Sequence, residues 1–130
     1  MFLPATVKGP GIAPWVQRPC GAITPKVGLA LYLNAGALAI ATGTTKPEYI
    51  CMEEHEAAVA AGTPVYVLPV SPDIEFETQA TAAMTAVKVG NKVTLATDGL
   101  GVTATTTDGV AQVVALEGTA VGDNVRVRFI

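Results

Sequence analysis

The sequence has little of what catalysis and nucleic-acid binding usually require. Its 130 residues include one His, two Cys and eight Lys and Arg together, and the formal net charge is −3. Phosphate neutralisation calls for clustered basic residues, so this charge argues against a nucleic-acid binder. Aromatic residues make up only 5% of the chain. A core built from small side chains is therefore expected.

The sequence pattern also predicts neither a secretion signal nor a membrane-spanning helix. The N-terminus has no basic run followed by an unbroken apolar run, so we expect no secretion signal. The most apolar stretch, 28–41, is interrupted by Asn34 and Gly36 and is shorter than the roughly 20 residues of a spanning helix. Cys20 and Cys51 are then best interpreted as buried thiols.

What the sequence does contain is typical of β-structure. Val and Thr are abundant, and short alternating segments separated by turn residues recur every 8 to 12 positions or so. These segments predict strands at about 28–33, 37–42, 48–52, 64–68, 74–78, 92–97, 102–107, 110–116 and 124–130. We expect one mainly-β domain, a small β-barrel or β-sandwich over residues 28–130, with at most two short helices, at 53–61 and 78–86.

One local phrase appears three times, around Gly62, Gly90 and Gly122. Each copy has Gly, two turn-compatible residues, and then an alternating run that begins with Val. Glycine allows the positive φ of a tight turn, so the phrase predicts a turn leading into a strand. The spacing is too irregular for a solenoid repeat.

The first 27 residues differ in composition from the rest. Five of the nine prolines fall here, which excludes a helix or a sheet interior and predicts an extended N-terminal arm, residues 1–27. Ordering such a segment costs on the order of 20–40 kcal/mol, which calls for on the order of 1,000 Å² of apolar surface. We expect another chain to supply that surface. The apolar residues of the arm predicted to bind it are Phe2, Leu3, Val7, Ile12, Trp15 and Val16.

Candidate catalytic and metal-binding residues are few. Cys51 and His55 are four positions apart and would share one face of a helix, as a thiol and its base could. The competing interpretation is a buried structural Cys51 at the end of a strand. The acidic cluster around His55 lacks the spacing of a zinc or calcium site, and Ser71 lies in a turn signature. We predict no catalytic, cofactor-binding or metal-binding residue.

Two segments of the chain carry a resemblance to a protein family. They are the arm "MFLPATVKGPGIAPWVQRPCGAITPK" and the tail "VGNKVTLATDGLGVTATTTDGVAQVVALEGTAVGDNVRVRFI". In this layout, and in its mild acidity and its content of Ala, Gly, Thr and Val, the chain resembles the capsid decoration (cement) proteins of tailed bacteriophages. The resemblance implies a structural virion protein, made in the host cytoplasm, that binds the outer surface of the capsid, cements neighbouring major capsid subunits and stabilises the head. It implies no enzyme activity, cofactor, nucleic-acid partner or membrane partner. The alternatives are a head-fibre or tail subunit, or a small β-barrel enzyme or ligand-binding domain that uses Cys51 and His55.

The last strand has a basic side. Arg126 and Arg128 alternate with Val125, Val127 and Phe129, so the apolar side is expected in the core and the arginines are expected to face acidic groups. The richest source of acid is 48–77. Contacts of this kind between subunits would set their orientation. Together with the resemblance, they predict self-association as a homotrimer, with a dimer as the next choice.

Overall fold

The structure, a computed structural model, describes residues 1–7 and 15–130, and for Thr6 and Val7 it describes the backbone only. The described part of the chain folds into eleven β-strands and contains no helix. The strands are β1 (Leu3–Val7), β2 (Val16–Pro19), β3 (Ala30–Asn34), β4 (Ala37–Ile40), β5 (Tyr49–Cys51), β6 (Pro64–Pro69), β7 (Ile74–Ala80), β8 (Lys92–Val93), β9 (Gly101–Val102), β10 (Ala111–Leu116) and β11 (Asn124–Phe129). The predicted mainly-β fold is confirmed.

The strands form two sheets. The six-stranded sheet has the order β1-β7-β11-β10-β8, and the short β9 pairs in parallel with β7. The five-stranded sheet has the order β2-β6-β5-β3-β4 and is antiparallel throughout. Its two outer strands approach each other at a bridge between Cys20 and Leu38, so this sheet curls toward closure. The result combines features of a sandwich and of a barrel.

Two apolar clusters fill the fold. The larger one joins Phe2, which directly precedes β1, and Phe76 and Phe129 of the six-stranded sheet with Ala30 and Leu68 of the other sheet. The smaller cluster lies on the opposite side of the five-stranded sheet. It contains Cys20, Leu29, Leu31, Leu38, Cys51, Val65 and Val67. Because side chains alternate along a strand, β3, β5 and β6 each contribute to both clusters.

The three repeated phrases adopt the same turn. Gly62, Gly90 and Gly122 have φ values of 90°, 95° and 89°, as the third residue of a type II turn requires. The backbone N–H groups of Thr63, Asn91 and Asp123 donate to the carbonyl oxygens of Ala60, Lys88 and Ala120, at 3.1, 3.0 and 3.1 Å. Each of these turns leads into a strand, β6, β8 or β11, as predicted for the phrase.

The limit of at most two short helices holds, and neither 53–61 nor 78–86 forms one. Between residues 53 and 61 the backbone bonds to a distant segment instead of to its own preceding turn. The N–H groups of His55 and Val59 donate to the carbonyl oxygens of Pro25 and Ile23. The stretch 78–86 begins as the end of β7 and continues as turns, and Met84 donates its N–H to Thr119. Long-range pairing overrides a weak local helix preference in both segments.

The described part of the N-terminal arm belongs to the two sheets. β1 is an edge strand of the six-stranded sheet and β2 is an edge strand of the five-stranded sheet. Edge positions accept Pro4 and Pro19, because a proline there need not donate a hydrogen bond. Our expectation that the arm lies apart from the β-domain and depends on another chain does not fit residues 1–7 and 15–27. The sheets and the loop at 53–61 of the same chain contact them.

Candidate partner-binding surface

The structure separates the predicted binding residues of the arm. Phe2 is fully buried in the larger core cluster, with its ring 5.3 Å from that of Phe129, and is therefore unavailable to a partner. Val16 packs partly buried against the smaller cluster. Leu3 is 42% exposed and Trp15 is 59% exposed. Ile12 and the side chain of Val7 lie outside the described residues.

The two arginines of β11 find partners in their own chain. Arg126 Nη2 lies 3.8 Å from Glu77 Oε2 on the neighbouring β7. Arg128 Nε donates a hydrogen bond of 2.7 Å to Gln112 Oε1 on β10, the other neighbour. The expectation that Arg126 faces acid from another subunit does not fit this geometry, since Glu77 already supplies a carboxylate. A pair as exposed as this contributes about 0–1 kcal/mol.

Cys51 and His55 do not form a dyad in the structure. Cys51 is buried, and its Sγ donates to the backbone carbonyl of Glu53 at 3.3 Å. Burial is the main reason that the pKa of the Cys51 thiol is raised, and burial likewise raises the pKa of Cys20. His55 Nε2 instead forms a hydrogen bond of 2.5 Å with Glu53 Oε2. Both features disfavour a reactive thiolate at this position.

In the acidic segment, residues 53–56, two carboxylates accept hydrogen bonds from backbone N–H groups. Glu53 Oε1 accepts the N–H of Tyr66 at 3.1 Å, and Glu54 Oε2 accepts the N–H of Val27 at 2.7 Å. The hydrogen bond from His55, with that from Tyr66, lowers the pKa of the Glu53 carboxyl. Across residues 1–7 and 15–130 there is no group of three or more His, Cys, Asp or Glu that could hold a metal ion.

Open grooves lie on the surface of the described part of the chain. The groove of about 470 Å³ lies at one end of the two sheets, and its wall is rich in proline. It is lined by Lys46, Pro47, Glu48, Tyr49, Pro69, Val70, Pro72 and Phe129. Glu48 uses its carboxylate to accept the N–H of Leu33 at 3.1 Å.

In the described ranges, no helix is long and apolar enough to cross a membrane.

Two of the exposed large hydrophobic side chains are aromatic, Trp15 and Tyr66. Trp15 directly precedes β2, and Gln17 of β2 is paired with Tyr66 of β6. Alternation in an extended chain places Trp15, two residues before Gln17, on the same side as Tyr66. Tyr66 is 45% exposed. We call Trp15 and Tyr66 the aromatic edge.

Sequence reasoning identified Trp15 but missed Tyr66. The signal was present, because Tyr66 alternates with Val65 and Val67, which are both fully buried. The sequence did not show that β2 pairs with β6, and this pairing places Tyr66 opposite Gln17, two residues after Trp15. Neither the known protein-family models nor the curated protein sequences contain a match to this chain.

Proposed function

We propose that this chain is a structural virion protein that binds the outer surface of a tailed-phage capsid and cements neighbouring major capsid subunits. The observation that carries the proposal is the aromatic edge on a compact all-β body. A tryptophan with 59% of its surface exposed has no role in the core of its own chain. Aromatic side chains of this kind are the usual anchors of protein interfaces.

The role of the charged residues supports a structural task. Glu48, Glu53 and Glu54 each accept a backbone N–H of a distant segment. Arg126 and Arg128 contact side chains of neighbouring strands. The three glutamates tie distant segments of the fold together, as a protein that must resist mechanical load requires. In this proposal the chain has no catalytic, metal-binding or cofactor-binding residue.

Its partner in the proposal is the major capsid protein, and its location is the outside of the head. Neither nucleic acid nor membrane takes part. We further propose that three copies associate on the shell as a homotrimer, because closed cyclic symmetry lets identical chains satisfy each other's surfaces. A head-fibre or tail subunit would use the same aromatic edge on a different virion surface.

Co-sedimentation with shells tests the proposal. Purified protein is mixed with shells of the encoding virus that lack it, and the pelleted fraction is measured against protein concentration. We expect saturable binding, and we expect Trp15→Ala to weaken it at least tenfold, since an aromatic hot spot contributes about 2 kcal/mol or more.

Two controls make the result specific. Val121→Ala removes a side chain that is 65% exposed in the turn before β11, and should bind as the wild type does. Val89→Ala should also retain binding, because Val89 is 64% exposed and lies beside β10, in the other sheet. Protein that stays in the supernatant at every concentration would refute the proposal.

A further inference from the structure

Two short segments of the chain have nearly the same sequence. Residues 97–100 read TDGL and residues 107–110 read TDGV. In an Asp-Gly pair the glycine nitrogen can attack the carboxyl carbon of the aspartate side chain, because glycine has no Cβ to shield its N–H. The reaction closes a succinimide ring and releases water. Since the two segments match in sequence, a difference between their rates in the folded protein must come from the fold.

The fold holds both reacting groups of the first pair. Asp98 Oδ1 accepts the N–H of Leu100 at 3.0 Å. The N–H of Gly99 donates to the carbonyl oxygen of Ala96 at 3.1 Å. Gly99 is also buried, and an added Cβ there would lie 2.6 Å from Ile40 Cγ2. The carboxylate and the attacking nitrogen must both leave these contacts before they can react.

The second pair lacks this protection. Asp108 is exposed, and within residues 1–7 and 15–130 its carboxylate takes part in no hydrogen bond or ion pair. The N–H of Gly109 forms no hydrogen bond of good geometry with any other described residue. The Asp108 carboxyl group can therefore turn toward the Gly109 nitrogen without first breaking a contact.

The geometry of this turn accounts for the presence of a reactive pair. Asp108 has φ 54°, a left-handed value that Asp adopts more readily than most residues with a side chain. Gly109 packs against β8, where an added Cβ would collide with the carbonyl oxygen of Lys92. Asp followed by Gly satisfies both conditions.

We propose that Asp108 is a site of spontaneous isomerisation to isoaspartate, and that the fold protects Asp98 from the same reaction. The Gly109 nitrogen loses its proton and bonds to Asp108 Cγ, and the carboxyl oxygen leaves with that proton as water. Water then opens the succinimide at either carbonyl. Opening at the main-chain carbonyl of Asp108 leaves the chain linked through Cγ, with no net change in mass. This inference goes beyond the proposed function and does not depend on it.

Isomerisation should weaken the pairing of β8 with β10. The new linkage adds a methylene group to the main chain directly before Gly109, which has no space to move toward β8. The next residue, Val110, donates its N–H to the Val93 carbonyl at 3.0 Å, and Ala111 is paired with Val93. Val93 and Ala111 are fully buried in the larger core cluster. The isoaspartyl protein should therefore melt about 3 °C or more below the original protein.

Digestion with endoproteinase Asp-N tests the proposal, because this enzyme cuts before Asp but not before isoaspartate. The purified full chain is incubated for several weeks at neutral pH and physiological temperature, then unfolded and digested. Isomerisation at residue 108 leaves 98–122 as one peptide, whereas isomerisation at residue 98 leaves 73–107. The 98–122 peptide should accumulate at least about tenfold faster, since a hydrogen bond to a charged group typically shifts an equilibrium by that factor.

The same incubation in concentrated urea is the matched control. Without the fold, the two Asp-Gly pairs have nearly the same neighbours and should convert at similar rates. The proposal is overturned if neither peptide accumulates from the folded protein, if residue 98 converts as fast as residue 108, or if the preference for residue 108 persists in urea.

A variant tests the effect on stability. Asp108→Gly suits the left-handed φ at this position and cannot isomerise there. The melting temperature of the wild type should fall during the incubation, and that of Asp108→Gly should not. An equal fall in both proteins would overturn the assigned effect on the pairing of β8 with β10.

Discussion

Replacing Phe2 by Ala should destabilise the fold severely, although the residue lies one position from the start of the chain. The Phe2 side chain is fully buried, and its ring meets that of Phe129 edge-on at 5.3 Å. Burial of such a ring is worth about 1.5–3 kcal/mol, and the aromatic contact adds about 0.5–1.5 kcal/mol. With the cavity left behind, the free energy of unfolding should fall by about 3–5 kcal/mol.

Urea denaturation followed by far-UV circular dichroism measures this loss. The midpoint should move down by at least about 1 M, and the melting temperature should fall by on the order of 10–25 °C. Leu3→Ala is the matched control, because the neighbouring Leu3 is 42% exposed and should cost less than about 1 kcal/mol. Equal stability of Phe2→Ala and wild type would refute the assignment of residues 1–7 to the β-domain.

Three further substitutions test other features of the fold. Gly28→Ala should cost about 1–3 kcal/mol in a thermal melt, because Gly28 has φ +83° and an added Cβ would lie 2.8 Å from the backbone N of Phe2. Glu53→Gln should destabilise the protein at neutral pH. The pKa of Glu53 is lowered by folding, so the difference from wild type should be full above about pH 4.5 and vanish as the pH falls through the lower, folded-state pKa. Arg126→Ala should change the free energy of unfolding by no more than about 1 kcal/mol, and a larger loss would mean that the pair with Glu77 is misjudged.

Much of the fold could be predicted from local sequence, because turns and alternation are local signals. The three Gly-led turns and the strands that follow them were predictable, since positive φ at Gly62, Gly90 and Gly122 is a property of the residue itself. The predicted strand at 110–116 lies within one residue of the observed β10. Pairing partners were not predictable. No local signal brings Arg126 beside Glu77, or β2 beside β6.

The N-terminal arm and the acidic segment show where local reasoning fails. Proline correctly indicated that the described residues of the arm, 1–7 and 15–27, avoid a sheet interior, but edge positions satisfy the same constraint, and β1 and β2 occupy them. The acidic segment looked like a helix because its residues favour one. Its backbone and its carboxylates instead bond to Pro25, Val27 and Tyr66. Contacts between residues so far apart in the sequence produce no periodic pattern in it, so they could not be predicted from the sequence.

The measurement that tests the central claim most directly is a cryo-electron microscopy difference map. To test the proposed capsid role, shells that lack this protein are imaged before and after the purified chain is added. The account predicts added density on the outer surface, at positions that bridge neighbouring capsid subunits, with the aromatic edge of Trp15 and Tyr66 against the shell. Density inside the shell or at the tail, or no added density at saturating protein, would contradict it.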